Sequence, residues 1–173
     1  MRLKKETRIL GLSATPRLKD RTFVVGVIFR GSSWLDGILT CNLKAKSDHK
    51  MLRLSRAIMK SRQYSQLHAV IISSDQTILQ RDSHIAELAR RLKLPVILLL
   101  KRARRKKTSQ PLGVEQYEFD IKGKRLHASA KGMRFNESQE LFTVGCAPDS
   151  SVPEAVRVAD LIAKRGLCLL ESE

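Results

Sequence analysis

Six of the seven residues from 101 to 107 are lysine or arginine, a dense concentration of positive charge. The segment follows an apolar run, 96–100, and is itself followed by the polar residues Thr108, Ser109 and Gln110. Cations this close repel one another unless the phosphates of a polyanion neutralise them. The segment therefore predicts contact with nucleic-acid phosphates. A solvated loop or a transport signal is the alternative interpretation.

The residue types that usually carry catalysis are scattered along the chain. His49, His68, His84 and His127 have neither a paired spacing nor an HExxH motif, so each is interpreted as a surface or core residue rather than a ligand. No GxSxG, P-loop or GxGxxG motif occurs. These patterns predict no catalytic residue, no bound metal and no cofactor.

Three features of the sequence indicate the cellular compartment in which the protein is expected. Cys41, Cys146 and Cys168 are odd in number and lack CxxC spacing, which predicts neither a disulfide framework nor a zinc site. The run 96–100 is far shorter than the ~20 residues of a membrane helix. The apolar stretch 9–12 is too short for the ~7–15 residues of a signal-peptide core. A cytoplasmic protein with no membrane partner is expected.

Length and composition predict one folded, strongly basic domain that spans residues 1–173. The chain has 173 residues, of which 42% are hydrophobic, enough to build a core. Lys and Arg number 33 against 17 Asp and Glu, a net charge of +16. The charge is regional, with eleven cations and three anions in 101–135 but three cations and seven anions in 136–173. Such a field favours an acidic macromolecule as partner.

Hydrophobic patterning predicts a sheet with helices around it. Residues 8–12, 22–30 and 34–42 are predicted strands, the last two joined as a hairpin in which Trp34 belongs to the core. Apolar runs at 69–72 and 95–100 flank a helix marked by 85, 88, 89 and 92, which predicts a parallel pair joined by a crossover. A small hairpin is predicted at 117–128, followed by helices at 136–145 and 153–165.

One predicted helix carries a basic stripe. Ser47 is expected to cap it, and apolar Met51, Leu54 and Ile58 recur at helical spacing. Its cations gather on about a third of the circumference and can lie along a nucleic-acid backbone, although an ordinary solvated face is the alternative. These cations are Lys50, Arg53, Arg56 and Lys60.

Four segments of the sequence resemble a known family. VVGVIFRG at 24–31 followed by WLDGIL at 34–39, together with LPVI at 94–97 and PEAVRVADLIA at 153–163, resemble an archaeal family related to endonuclease V, domain of unknown function ninety-nine. The likeness extends from about residue 8 to residue 166. It implies an α/β, ribonuclease H-like fold, in which a mixed sheet of three antiparallel and then parallel strands is flanked by helices. A basic insertion is expected at about 101–112.

The resemblance also shows what this chain lacks. Where the family's first strand carries an Asp that holds a catalytic metal in endonuclease V, this chain has Ser13; where the family has Leu-Asp-Gly after the fourth strand, it has Ser73. A serine hydroxyl lacks the charge that a two-metal nuclease needs at its Mg²⁺ ligands. These serines are interpreted as a degenerate metal site. Asp75, two residues beyond Ser73, with Asp36 as a companion, is the remaining route to metal binding.

The function expected from charge and resemblance together is non-catalytic RNA binding by a pseudoenzyme. Its most concrete form is an archaeal ribosomal protein that binds rRNA and neighbouring ribosomal proteins. With 5% aromatic residues, contacts to phosphate and RNA shape are favoured over base stacking. An endonuclease V-like, metal-dependent nuclease and a DNA-binding chromatin protein are the alternatives. The acidic C-terminal residues are expected to face away from RNA.

The residues predicted to contact RNA are the lysines and arginines of the basic segments: Arg2, Lys4, Lys5, Arg17, Lys19, Arg21, Lys50, Arg53, Arg56, Lys60, Lys101, Arg102, Arg104, Arg105, Lys106, Lys107, Lys122, Lys124 and Arg125.

Overall fold

The computed structural model describes residues 3–17, 19–75, 78–104 and 112–170, with the backbone alone for 167–170. Its strands are β1 (Arg8–Ala14), β2 (Arg21–Arg30), β3 (Trp34–Lys44), β4 (Leu67–Ile72), β5 (Val96–Leu100), β6 (Glu115–Ile121) and β7 (Lys124–Lys131). Its helices are α1 (Lys50–Met59), α2 (Asp82–Leu92), α3 (Phe135–Gly145) and α4 (Glu154–Leu170), and a short 3-10 turn, Tyr64–Gln66, precedes β4.

The seven strands form one mixed sheet in the order β3-β2-β1-β4-β5-β7-β6. Strands β1, β2 and β3 pair antiparallel, whereas β1, β4 and β5 pair parallel. The mixed sheet predicted from the sequence is therefore confirmed. The predicted small hairpin is β6 and β7, and it extends the main sheet because β7 pairs antiparallel with β5.

Alternating residues of the strands bury two separate hydrophobic layers. Leu10, Leu12 and Ile72 pack with α1 and α2 on one face of the sheet. Ile9 and Ile71 pack with α3 and α4 on the other face. The period of two along a strand thus places helices on both faces. No described helix is both long and apolar enough to cross a bilayer.

The carboxyl ends of β1, β4 and β5 meet at one edge of the sheet, here named the carboxyl edge. Ala14 of β1 pairs with Val24 of β2, so the β1–β2 turn lies at this edge. Strand β3 ends here as well, since Lys44 pairs with Arg21. The β6–β7 turn lies here too, because β7 runs antiparallel to β5 and begins past the end of β5. The opposite edge is named the amino edge.

Helix α4 packs directly on the backbone of β1. Gly11 faces the helix, and a Cβ added there would lie 2.2 Å from the carbonyl carbon of Ala155. Only a residue without a side chain allows the helix to come this near. The small buried residues Ala155, Ala159 and Ala163 complete the contact from the helix side. This packing fixes which residues of α4 reach the carboxyl edge.

Three local expectations are wrong. Ser47 does not cap α1, whose N-cap residue is His49, although the Ser47 hydroxyl accepts a hydrogen bond from the His49 N–H. Helix α4 continues past Gly166 to Leu170, because nothing at Gly166 forces a left-handed turn. Trp34 is 68% exposed instead of buried, because β3 is an edge strand and Trp34 is its first residue.

We predict that Gly11→Ala destabilises the protein by about 3 kcal/mol, at the upper end of overpacking effects, because the added methyl meets backbone rather than a movable side chain. The measurement is the free energy of unfolding in urea. Gly166→Ala is the matched control, since a Cβ there meets nothing within 4 Å and α4 gains up to ~1 kcal/mol of helix propensity. Equal stability of the two variants would contradict the packing of α4 on β1.

Candidate functional site

Two buried serines mark the carboxyl ends of neighbouring parallel strands. Ser13 lies near the end of β1 and is 2% exposed; Ser73 follows β4 and is 1% exposed. The Ser73 N–H donates to the Leu12 carbonyl at 2.8 Å, which extends the ladder between the two strands. Ser13 and Ser73, the two residues predicted as a degenerate metal site, thus lie beside each other. Both side chains lie on or beside the face that α4 covers.

Helix α4 places a carboxylate on the first serine. The Ser13 hydroxyl donates to Asp160 Oδ1 at 2.5 Å. A hydrogen bond from a hydroxyl to a carboxylate is short and strong, because the acceptor carries charge. Asp160 is therefore held in place at the carboxyl edge. Asp160 belongs to the acidic C-terminal part, and α4 places its carboxylate beside Ser13.

A cluster of ions follows the second serine. The Ser73 hydroxyl accepts from the Asp75 N–H at 3.1 Å. The Asp75 carboxylate receives Lys164 Nζ on Oδ2 at 2.9 Å and lies 3.4 Å from Lys101 Nζ through Oδ1. The hydrogen bond from Lys164 is the main cause that lowers the pKa of Asp75, and Lys101 adds to it. The same bond raises the pKa of Lys164, to which the charge of Asp160 also contributes.

This arrangement does not fit a two-metal site. Mg²⁺ requires near-octahedral oxygen ligands, and the protein part of such a site comes from carboxylates that converge on the ion. Here both Asp75 oxygens face ammonium groups, and Asp160 accepts the Ser13 hydroxyl. Among the residues that the structure describes, no three His, Cys, Asp or Glu side chains converge. The cations of the site are the protein's own lysines.

Asp36 lies at the edge of the sheet opposite Asp75, so the two residues do not form the alternative metal site. Arg8 Nε donates to Asp36 Oδ2 at 2.5 Å, and Arg30 Nε lies 3.3 Å from Oδ1. Arg8 begins β1 and Arg30 ends β2, which places Asp36 at the amino edge. Its carboxylate lies against both arginines, which are paired across β1 and β2. Asp36 is a structural ion-pair partner of these strands.

The fold gathers cations from distant parts of the sequence at the carboxyl edge. They come from the β1–β2 turn, the end of β3, the residues after β5, the β6–β7 turn and α4. Arg104 is also here, but it is bound to Asp82 at 2.7 Å and to the Gln80 carbonyl. The exposed cations of this edge are Arg17, Lys19, Arg21, Lys44, Lys46, Lys101, Arg102, Lys122, Lys124, Arg125 and Lys164.

The other predicted RNA contacts are not brought to this edge as one group. Lys50 begins α1 near the carboxyl edge and donates to the Ala45 carbonyl, while the remaining basic residues of the stripe follow α1 away from the edge. Lys4 and Lys5 lie at the amino edge, beside the β2–β3 turn. Arg2 and the basic run from Arg105 through Lys106 and Lys107 lie outside the described residues, as does most of the predicted insertion at 101–112.

An open cleft of about 610 Å³ adjoins the ion cluster on the outer side of α4. Its charged lining is balanced, and Glu154 binds Arg157 through bonds of 2.7 and 2.9 Å. Glu154 is buried, so it departs from the expected solvent-facing acidic surface. The charged residues of the cleft are Lys124, Asp149, Glu154, Arg157, Asp160 and Lys164.

Within the described ranges, the histidines and cysteines form no cluster that could hold a metal ion. Burial lowers the pKa of His84 and raises that of Cys146 to about 12, which keeps the thiol protonated at neutral pH. Cys41 and Cys146 are free thiols, and burial raises the pKa of Cys41 also. Cys168 lies in the part whose side chains the structure does not describe.

Sequence reasoning missed Asp160, Lys164, Lys44 and Lys46 as residues of the carboxyl edge. Asp160 and Lys164 are four residues apart on α4, a spacing that places both on one face of a helix. That spacing was the available signal. It did not show which face of α4 meets β1, and this depends on the contact at Gly11.

The comparisons with known proteins agree with this architecture. No protein-family model matches the chain. A UPF0215 protein of Methanothermobacter thermautotrophicus is 29% identical over 188 residues, covering 98% of this chain and 92% of the relative. Homologues with the same description occur in other archaea, including Methanosarcina acetivorans at 26% identity. The chain is thus similar to archaeal UPF0215 proteins over nearly its whole length.

Solved structures are similar at much lower identity. A protein of Archaeoglobus fulgidus has a TM-score of 0.73 at 17% identity, covering 91% of this chain and 96% of its own. Human ENDOV has a TM-score of 0.70 at 11% identity, with 96% and 86% covered. The fold is endonuclease V-like. Ciona intestinalis endonuclease V, crystallised with a 24mer DNA containing inosine, has a TM-score of 0.67 at 9% identity, with 95% and 87% covered.

We predict that Ser13→Ala lowers the free energy of unfolding by about 1–3 kcal/mol, because a carboxylate at the carboxyl edge loses its hydroxyl donor. Ser138→Ala is the control: this hydroxyl is equally buried but has no hydrogen-bond partner within the described part of the chain, so its removal is nearly neutral. Urea denaturation of both variants is the measurement. A Ser13→Ala loss no larger than that of Ser138→Ala would refute the role of this bond.

Proposed function

We propose that this protein binds structured RNA through the carboxyl edge and does not cleave it. The observation that carries the proposal is the convergence of exposed cations from five separate segments on that edge. Neighbouring cations within a Debye length of ~10 Å repel one another, and a phosphate backbone relieves this repulsion while releasing counterions. A net charge of +16 adds long-range attraction.

Three acids near this edge are held by contacts within the protein. Asp82 is bound to Arg104, and Asp75 to Lys164. Asp120 accepts the Gly123 N–H inside the β6–β7 turn. These carboxylates hold loops and cations in place. Lys19 and Lys124, beside these turns, are exposed to solvent, where phosphates can reach them, whereas the Lys122 ammonium donates to the Ala147 carbonyl.

Of the three described lysines with a positive φ, Lys93 follows α2, and the other two lie in turns at the carboxyl edge and support a binding role for it. Lys19 and Lys122 have φ angles of 54° and 54°, in the left-handed region where Gly or Asn is favoured. Lysine at such a position sacrifices some backbone stability and contributes a charge at the tip of a turn. Both turns lie at the carboxyl edge.

Structured RNA is a better partner than a single strand. Stacking on bases requires exposed aromatic rings. Trp34 and Phe135 are the exposed aromatic residues of the described chain, and each follows a turn at the amino edge. At the carboxyl edge, contacts to phosphates and to the shape of a folded RNA remain. A ribosomal protein that binds rRNA beside other ribosomal proteins is the most concrete form of this proposal, and it rests on size and charge.

The ion cluster supports the absence of cleavage in this proposal. The Lys164 and Lys101 ammonium groups contact the Asp75 carboxylate, which would otherwise be available to a metal. With both Asp75 oxygens engaged, the site is arranged to hold phosphate by charge. Retention of the endonuclease V-like fold then reflects the nucleic-acid surface that this fold presents.

A metal-dependent nuclease is the second candidate, favoured by the fold and by one local observation. Asp75 and Asp160 both act on the Lys164 ammonium, so two carboxylates lie around one position at the end of β1 and β4. Displacement of the lysine would leave both facing the same space. Cleavage of RNA or of inosine-containing DNA that requires Mg²⁺ or Mn²⁺ would establish this candidate in place of the first.

We predict that a triple variant binds a folded rRNA fragment more weakly when Gln replaces Lys19, Arg102 and Lys124. The slope of log affinity against log salt concentration falls by about 2.7, because each lost phosphate contact removes ~0.9. Fluorescence anisotropy between 50 and 300 mM salt is the measurement, with gel analysis of RNA length in Mg²⁺. The control replaces Lys4, Lys5 and Lys60, at the amino edge, by Gln and removes the same charge.

Equal slopes for the two triple variants would contradict the proposal, as would shortening of the RNA. Comparable affinity for duplex DNA would instead support a DNA-binding chromatin protein.

A further inference from the structure

We infer that Lys101 and Lys164 form a phosphate site, and that the Asp75 carboxylate occupies it as an internal competitor until RNA binds. The inference rests on the proposed function and identifies one contact point within it. Both ammonium groups face the same carboxylate, one on each oxygen, at 3.4 and 2.9 Å. A carboxylate and a phosphate both present neighbouring oxygens, so a single phosphate can contact both lysines in the same way.

The two lysines come from parts of the fold that are held rigidly relative to each other. Lys101 directly follows β5, an inner strand of the sheet, and Lys164 projects from α4 one turn beyond Asp160. Asp160 is itself anchored on Ser13 at 2.5 Å. The site is therefore preorganised by β5 and by the packing of α4. Asp75 belongs to the segment that connects β4 to α2, which is a loop.

Solvent reaches all three groups. The side chains of Lys101 and Lys164 are 64% and 63% exposed, and that of Asp75 is 38% exposed. Exposed ion pairs contribute little, because water and salt screen them. A phosphate of a polyanion that is already held along the carboxyl edge can replace the carboxylate at this small cost. Release of the carboxylate then leaves one negative charge facing the bound RNA.

A competitor role and a metal-binding role for Asp75 predict opposite changes in RNA affinity when the carboxylate is neutralised. If Asp75 competes with phosphate, its neutralisation strengthens RNA binding. If Asp75 holds a metal through which nucleic acid binds, its neutralisation weakens binding and removes a dependence on Mg²⁺. The two roles therefore separate in a binding measurement that involves no catalytic activity.

The test compares Asp75→Asn with Asp20→Asn, which removes an exposed acid of the same edge from the β1–β2 turn. Binding of a folded rRNA fragment is measured by anisotropy at 0.1 M salt, in EDTA and in Mg²⁺, after thermal melts show that each variant is folded. We expect Asp75→Asn to tighten binding about two- to fivefold, the factor that corresponds to an exposed ion pair. Asp20→Asn is expected to change binding less than about 1.5-fold, by its long-range charge alone.

A second background isolates the direct contact. A protein with Lys101→Gln and Lys164→Gln is expected to bind RNA more weakly than the wild type does. In that protein Asp75→Asn no longer tightens binding, because the carboxylate has no lysine left from which to exclude a phosphate. The inference is overturned if Asp75→Asn weakens RNA binding or changes RNA affinity no more than Asp20→Asn does. It is also overturned if Asp75→Asn raises affinity equally in the wild type and in the protein with Lys101→Gln and Lys164→Gln.

Failure of this inference is distinguishable from failure of the proposed function. A wild-type protein that binds the rRNA fragment with a steep salt dependence, but whose Asp75→Asn variant shows no gain, overturns the internal competitor alone. A wild-type protein with no salt-dependent RNA binding overturns the proposed function and this inference with it.

Discussion

Helix α4 rests on the backbone of β1 at Gly11, where any side chain would collide with the carbonyl carbon of Ala155 at 2.2 Å. This contact sets the height and rotation of the helix relative to the sheet. Five residues further along, Asp160 then meets the Ser13 hydroxyl, and four residues beyond it Lys164 meets Asp75. The electrostatic pattern at the carboxyl edge thus depends on a steric constraint in the middle of β1. Close packing transmits such constraints because interiors contain little free volume.

The same edge combines two features with different physical origins. The sheet topology alone places the β1–β2 turn, the end of β3, the end of β5 and the β6–β7 turn beside one another. The sequence then supplies lysine or arginine at nearly every one of these positions, including two lysines in left-handed turn conformations. The fold resembles that of endonuclease V at 11% identity, whereas the side chains at its strand ends form lysine–carboxylate pairs. Architecture and local chemistry are therefore separable in this protein.

Much of the architecture was accessible from sequence because burial imposes a period on the chain. The β-branched and aromatic run at 22–30 and the helical spacing of Ile85, Leu88 and Leu92 correspond to β2 and α2. The pairing of β7 with β5 and the exposure of Trp34 were not accessible, because strand neighbours are set by long-range contacts. In the site, regional charge indicated the basic turns. Charge alone did not distinguish Asp160 in the site from acids elsewhere in the C-terminal part, nor did it show that Asp36 lies at the opposite edge beside Arg8.

Ultraviolet cross-linking of the wild-type protein to a folded rRNA fragment in Mg²⁺ shows whether the carboxyl edge contacts RNA without cutting it. The linked peptides are identified by mass spectrometry, and the RNA is sized on a gel. If the carboxyl edge binds RNA, cross-links lie on the peptides that contain Lys19, Lys101 and Lys124, and the RNA keeps its length. Cross-links confined to the peptides of Lys4 and Lys5 at the amino edge, or RNA cut in the presence of the metal, would contradict this proposal.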